Sequence, residues 1–472
     1  MTGQFLERIA TFSNISVQVE SIEKRRISGS IVIEDEGGSH KFKLIFTYFE
    51  DIVVDENLAG LVLTMPAINF TLFSRRLTLN FPVRPQDREI ISEWVRINNR
   101  EVFVNRLCIR RHEFFLNEYL PGDSDITEEN STGCTEIVTP NIIGGGKGKT
   151  MDPNSVAILS SGGKESLLTS GILSEIGANV HHVFINESGG HWNTAKTSFD
   201  YFTSTGRHVE KVWTNVDRFY HFCLDRLKPL NRKVSEKWAD DYPVQLFIFP
   251  VYIFASIPLL IKHNVGNIVM GDEFDDPLEF SDYKGLKHYY GIYDQTSDFN
   301  LSFTRYLKST GLEIGVWSAV YPINGSLEEK ILIKRYPELF RTQRSCHSCR
   351  NVEGKIVPCG KCSKCLGILL FIIAAGGDPE EAGYTKDSVN HLEERLERTR
   401  MRLDPDELLL MKKRIRGEGS GIRSHVDMIH ILPEEKSAGS KIPEQFRNKI
   451  LDIFGEYASG VCRIDGKQWV QV

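Results

Sequence analysis

The stretch Val156-Ala-Ile-Leu-Ser-Ser-Gly-Gly-Lys-Glu-Ser166 constrains the fold of this chain more than any other. Four apolar residues, Val156 to Leu159, run directly into a polar turn made of Ser160, Ser161, Gly162, Gly163, Lys164, Glu165 and Ser166. Leu167, Leu168, Ile172, Leu173 and Ile176 follow at helical spacing. The pattern predicts a buried strand, a tight turn and an amphipathic helix. A helix that begins this way leaves several backbone N–H groups without intrahelical partners, at its positive dipole end. Two glycines permit close approach, three hydroxyls can donate, and Lys164 adds charge. The turn reads as a cradle for nucleotide phosphates.

The chain has 472 residues, enough for two or three domains with cores of their own. A hydrophobic content of 41% and a charged content of 25% are those of an ordinary globular protein. A formal net charge of -6 argues against general polyanion binding. The first residues lack the basic-then-apolar pattern of a secretion signal, so a cytoplasmic location is expected. Residues 244–261 approach membrane-spanning length but include Pro250 and Pro258. They read as a kinked helix buried in an α/β domain rather than a membrane span.

Residues 1–120 read as an α+β N-terminal domain, with strands at Ile27–Glu34 and Lys41–Tyr48 and a helix over 86–104. Residues 121–154 are polar and glycine-rich and read as a linker. Their Gly148-Lys-Thr150 is not a Walker A motif, because Ile143 stands where that motif needs glycine. Residues 155–385 carry three more strands, Val180–Asn186, His208–Val212 and Asn267–Gly271, separated by helical segments. They therefore form a parallel-sheet α/β domain, with ligands expected beyond the strands' carboxyl ends. Those ends bear Ser160 and Ser161, Asn186 and Glu187, and Asp272 and Glu273. Residues 386–472 read as a charged, helical C-terminal extension. Its Arg395, Arg398, Arg400, Arg402, Lys412, Lys413, Arg414 and Arg416 are interleaved with acids, so a nucleic-acid partner is not favoured.

Asp272 and Glu273, with Asp275 and Asp276 nearby, are candidate magnesium ligands, Asp272 and Glu273 foremost. His288 and Tyr293–Ser297 are expected in loops on the same face. Nine cysteines occur, five of them between Cys346 and Cys365. Without a secretion signal this cluster reads as a metal site rather than disulfides. Five sulfurs compete for four tetrahedral positions, either Cys346, Cys359, Cys362 and Cys365, or Cys346 and Cys349 with Cys362 and Cys365. Zinc in an all-cysteine shell would be structural, and a 4Fe–4S cluster is the rival occupant.

The Ser161-Gly-Gly-Lys-Glu-Ser166 turn resembles the PP-loop of the N-type ATP pyrophosphatases, Ser-Gly-Gly-x-Asp-Ser, with Glu165 in the Asp position. That resemblance implies binding of ATP, cleavage between its α- and β-phosphates, and adenylation of a substrate oxygen. It assigns Ser161, Gly162, Gly163, Lys164 and Ser166 to the pyrophosphate; Ser160 beside them and Asn186 at the next strand end are further candidate nucleotide contacts, and Lys164, Glu165, Asp272 and Glu273 are the candidate catalytic residues. Cys359-Gly-Lys-Cys-Ser-Lys-Cys365, preceded by Ser345-Cys346, is similar to the zinc motif of 7-cyano-7-deazaguanine synthase. A longer resemblance is to the ATP-dependent UDP-MurNAc-L-Ala-L-Glu epimerases. It rests on Val269-Met-Gly-Asp-Glu273, Leu286-Lys-His-Tyr289, Tyr293-Asp-Gln-Thr-Ser297, Pro337-Glu-Leu-Phe340 and Cys365-Leu-Gly-Ile-Leu-Leu-Phe371. Both families place one Ser-Cys before the cysteine triple, which implies Cys346, Cys359, Cys362 and Cys365 as the zinc ligands.

The resulting expectation is a cytoplasmic enzyme that uses ATP and Mg2+ to adenylate a carboxylate on a small molecule or nucleotide sugar. The epimerase-like reaction comes first. Alternatives are deazapurine synthesis, tRNA modification, and a non-catalytic nucleotide- and zinc-binding protein within a complex. His181, His182, His191, Glu187 and Glu273 are the candidate general bases.

Overall fold

Alternating apolar side chains near the N-terminus build three long strands in the computed structural model: β1 (Asn14–Glu23), β2 (Arg26–Asp35) and β3 (Gly38–Tyr48). The structure describes residues 4–109, 112–145, 148–235, 242–244, 247–273, 281–290, 292–346, 348–401, 403–418, 421–465 and 468–472. Asp275, Asp276 and Arg402 lie outside the described residues. The chain divides into two units. One contains Met1–Met151, Lys211–Asn264 and Glu279–Ile314; the other contains Asp152–Glu210, Val265–Leu278 and Gly315–Val472.

In the first unit β1 pairs antiparallel with β2, and β2 with β3. β4 (Arg76–Asn80) and β5 (Glu136–Val138) continue the sheet in parallel beyond β1. Ile27, Ile31, Ile33, Leu44 and Phe46 are fully buried, as the period-two alternation requires of a half-covered sheet. The expected helix near residue 86 is Pro85–Val102; Pro85 lies in its first turn and Asp87 accepts from the Arg84 N–H at 2.8 Å. Its Trp94 is surrounded by Phe247, Phe254, Phe299, Phe303 and Tyr306, with ring centroids 5.0 to 6.2 Å away. The apolar stretch near 250 is the buried helix Phe249–His263, which runs through Pro258. Among the described residues, no helix is long and apolar enough to cross a membrane.

The second unit is built on parallel strands: β6 (Asp152–Leu159), β7 (Asn179–Asn186), β8 (His208–Thr214, to Glu210 in this unit), β9 (Val265–Met270) and β10 (Gly315–Ser318). Their order is β10-β9-β6-β7-β8. β6 pairs in parallel with β7 on one side and β9 on the other, and β9 with β10. The chain thus reverses its direction of travel across the sheet at β6. Val156, Ala157 and Ile158 are at most 1% exposed, and all six residues of β9 are buried. Such continuous apolar runs belong to strands covered on both faces. The fold is α/β with a mostly parallel sheet, as the motif order predicts. β10 is an addition: its four residues, Gly-Val-Trp-Ser, are too short a run to declare themselves.

Residues 386–472 hold more than the expected helices. Besides the helices Leu392–Arg398, Pro405–Ile415 and Glu444–Gly455 there is a small sheet of β11 (Ile429–Ile431), β12 (Val461–Asp465) and β13 (Gln468–Gln471). Leu392, Leu396, Leu410, Met411, Phe446 and Ile450 join the same apolar cluster as Val156, Leu168 and Leu369. Phe446 stacks on Trp317 of β10, centroids 5.6 Å apart and planes inclined by 20°. This segment contributes to the unit's core.

Candidate functional site

Two neighbouring strands that lead the chain in opposite directions leave a crevice at their carboxyl ends, and ligands of open α/β sheets bind there. In the second unit that point lies between β6 and β9, and two of the sequence's candidate groups meet at it. β6 ends in the turn Ser160–Gly163, and the helix Lys164–Glu175 starts from Gly163, which has no side chain to cap it. Ser160 and Ser166 turn their hydroxyls onto the carbonyls of Ile158 and Gly163 at 3.2 Å, while Ser161 is exposed. Gly162 has φ +81°, and a Cβ there would lie 2.8 Å from the Thr194 carbonyl oxygen. Only glycine fits that position without strain.

Lys164 is 2% exposed. Its Nζ lies 2.8 Å from Glu165 Oε1, 2.6 Å from Glu273 Oε2 and 3.3 Å from Glu328 Oε2. Burial alone would lower the ammonium pKa, but the three carboxylates outweigh it and hold the pKa well above its ordinary value. Burial likewise pushes Glu165 up, yet the charges of Lys164 and Lys364 bring its carboxyl down to about 2. Glu165, Glu273 and Glu328 can each place an oxygen within 4.8 Å of the others. One ammonium against three carboxylates leaves negative charge that a divalent cation would balance, and hard oxygen donors suit Mg2+. Gly325 makes room for the group, since a Cβ on it would fall 2.6 Å from Glu273 Oε2.

The remaining candidates fall around this centre. Asp272 is buried, and its backbone carbonyl accepts from Ser318 Oγ at 2.8 Å; Glu273 enters the acidic group and Asp272 does not. Asn186 ends β7, half-buried. Glu187 is buried and hydrogen-bonded to His191. His182 stacks on Phe202 with centroids 3.9 Å apart, and burial lowers its pKa to about 3, so its imidazole is neutral. His288 belongs to the first unit, where its Nδ1 accepts from the Tyr290 N–H at 3.2 Å.

Sequence reasoning missed Glu328 and Glu329, both fully buried on the helix Gly325–Arg335. Glu329 Oε2 accepts from Gln343 Nε2 at 2.9 Å. Burial pushes its pKa up to about 8, against the lowering effects of that hydrogen bond and of Lys164. The available signal was an Asn-Gly-Ser helix start just after a strand end, carrying two adjacent acids (Asn324 to Glu329).

The cysteine cluster is tied by hydrogen bonds to the Ser160–Gly163 turn and to the helix beside it. Arg344 N–H donates to the Gly162 carbonyl at 2.9 Å, and Thr194 Oγ1 donates to the Cys346 carbonyl at 2.6 Å. Cys346, Cys359, Cys362 and Cys365 bring their sulfurs within 4.8 Å of one another. The Cys359 N–H points at Cys346 Sγ (3.3 Å) and the Cys365 N–H at Cys362 Sγ (3.5 Å), as donors do around metal-bound thiolates. Cys362 also caps the helix Ser363–Ala374. Four sulfurs so placed form a donor set that can bind zinc; Cys349, buried next to them, is outside it.

No family model matches the chain. No curated protein matches it either. Among solved structures, it is similar to one described as a predicted subunit of tRNA methyltransferase from Methanocaldococcus jannaschii, at 17% identity and a TM-score of 0.19, over 48% of this chain and 90% of that one.

Proposed function

We propose that this chain is an ATP-dependent enzyme that adenylates a substrate carboxylate and releases pyrophosphate. The observation that carries the reading is the uncapped helix start after β6, at the reversal point of a parallel sheet, with Lys164 and the acids Glu165, Glu273 and Glu328 gathered around it. A carboxylate oxygen of the substrate attacks the α-phosphorus of ATP, the bond to the bridging oxygen breaks, and pyrophosphate leaves. The turn's N–H groups, with the hydroxyls of Ser161 and Ser166, bind the phosphate oxygens, and Lys164 lowers the cost of negative charge there. Glu165 and Glu273, with Glu328, would hold Mg2+, which when bound neutralises phosphate charge. The four-cysteine site would hold a structural zinc that fixes the loop behind Gly162.

An adenylate is a good leaving group, and it also acidifies the carbon next to the carboxyl, so epimerisation and amidation are both accessible from it. UDP-MurNAc-L-Ala-L-Glu is the first substrate to test and the carboxylated deazapurine the second, both in a cytoplasmic setting. The test supplies ATP, Mg2+ and each acid in turn and separates the nucleotides. AMP with pyrophosphate, appearing only when an acid is present, supports the reading. Formation of ADP, or unchanged release by Lys164→Ala, refutes it.

A further inference from the structure

A second set of metal-ligating side chains occurs in the same unit, at the opposite ends of the strands. His181 is the third residue of β7; His208 and Glu210 are the first and third of β8. Side chains two residues apart on a strand share a face, so His208 and Glu210 point the same way. β7 is the neighbouring strand and brings His181 to them. His181 Nδ1 lies 2.8 Å from Glu210 Oε1 and His208 Nε2 lies 3.1 Å from that same oxygen, with the two imidazole centroids 4.2 Å apart. His181 pairs along the sheet with Ala157, three residues before the phosphate turn begins, so this cluster is about 10 Å back along the strands from that turn.

The second carboxylate oxygen gives the cluster its significance. Glu210 is 3% exposed, and its Oε2 is buried with no hydrogen-bond partner among the described residues. A buried carboxylate oxygen with no donor costs free energy that a structural ion pair would normally avoid. His208 is exposed. Asn179 Nδ2 lies 3.3 Å from His181 Nε2, a contact that orients the ring.

We infer that His181, His208 and Glu210 form a binding site for a borderline-soft divalent cation of the zinc, cobalt or nickel type. Two imidazoles and one carboxylate are the donor set such ions prefer over magnesium or calcium. The ion is the partner for Glu210 Oε2. This site is separate from the four-cysteine cluster in residues and in donor chemistry, and it does not depend on the proposed adenylation.

Cobalt distinguishes the two. Tag-free, metal-stripped full-length protein is titrated with Co2+, and bound metal is measured alongside the absorption spectrum. The cysteine site gives an intense thiolate-to-cobalt band; a His2Glu site adds cobalt with weak visible bands only. His208→Ala and Glu210→Gln should each bind one cobalt fewer than wild type while the thiolate band is unchanged. That band also reports that the unit has folded. Cobalt should raise the wild-type melting temperature further than that of His208→Ala, because a ligand that binds only the native state stabilises it. The inference fails if both variants bind as much cobalt as wild type, or if wild type takes up cobalt only with the thiolate band.

Discussion

Lys164 sets one positive charge against Glu165, Glu273 and Glu328, and at 2% exposure it has little help from water. Removing one partner of a buried charge group costs more than the group's net contribution, because the remaining charges are left uncompensated. Lys164→Met should therefore lose about 3 kcal/mol in urea unfolding, in addition to any loss of activity. Glu329 predicts a pH effect. Its folded pKa, about 8, lies above the usual carboxyl value of 4.5, so the native state holds a proton that the unfolded chain releases. Stability is unpenalised below pH 4.5, falls between there and about 8, and then levels off. Glu329→Gln should remove that slope, so that its urea midpoint exceeds wild type by a margin that grows over this range. A margin independent of pH would show that Glu329 is ionised in the fold. At this scale the Ser160–Gly163 turn was legible because serine, glycine and lysine followed an apolar run. Glu328 and Glu329 were not, because adjacent acids on a helix ordinarily mark a solvated face.

A turn or loop gains fixed shape from what is tied to it, and the cysteine segment is the clearest case among the elements. The segments on either side of the hairpin Arg350–Val352 and Lys355–Val357, at Cys346 and Cys359, and the start of the helix Ser363–Ala374 meet at four sulfurs. Cys359→Ser should lose bound zinc, whereas Cys349→Ser should keep it, as elemental analysis of purified protein can show. Loss of zinc from Cys349→Ser would point to the paired Cys-x-x-Cys arrangement instead. Spacing alone left both ligand sets open, since five cysteines in twenty residues satisfy either. The strands β6, β7, β8 and β9 were readable from their apolar or alternating runs. β10 was not, although its Trp317 anchors Phe446.

For the whole molecule, the segment after Thr385 is where composition misleads most. Its charges dominate the sequence, yet Leu392, Leu396, Leu410, Met411, Phe446 and Ile450 supply core to the second unit. Widely spaced apolar residues among charges give a weak periodic signal, and only the fold shows that they converge. Its basic side chains are also engaged: Arg395 with Asp387, Arg398 with Glu394, and Arg414 with Asp427. A chain truncated after Thr385 should expose that core, and we expect it to be recovered insoluble or with strong binding of a hydrophobic dye. A soluble, cooperatively melting truncation would overturn this account. The order in which the chain visits its two units has a further consequence, for synthesis. It passes between them after Met151, Glu210, Asn264, Leu278 and Ile314. As the chain leaves the ribosome, the first unit therefore lacks a piece until Ile314 has emerged, and the second until the last strand, which ends at Gln471. Neither unit is contiguous in sequence, so each core stays unfinished until its last piece has been made, and apolar segments of both are exposed in the nascent chain up to Ile314.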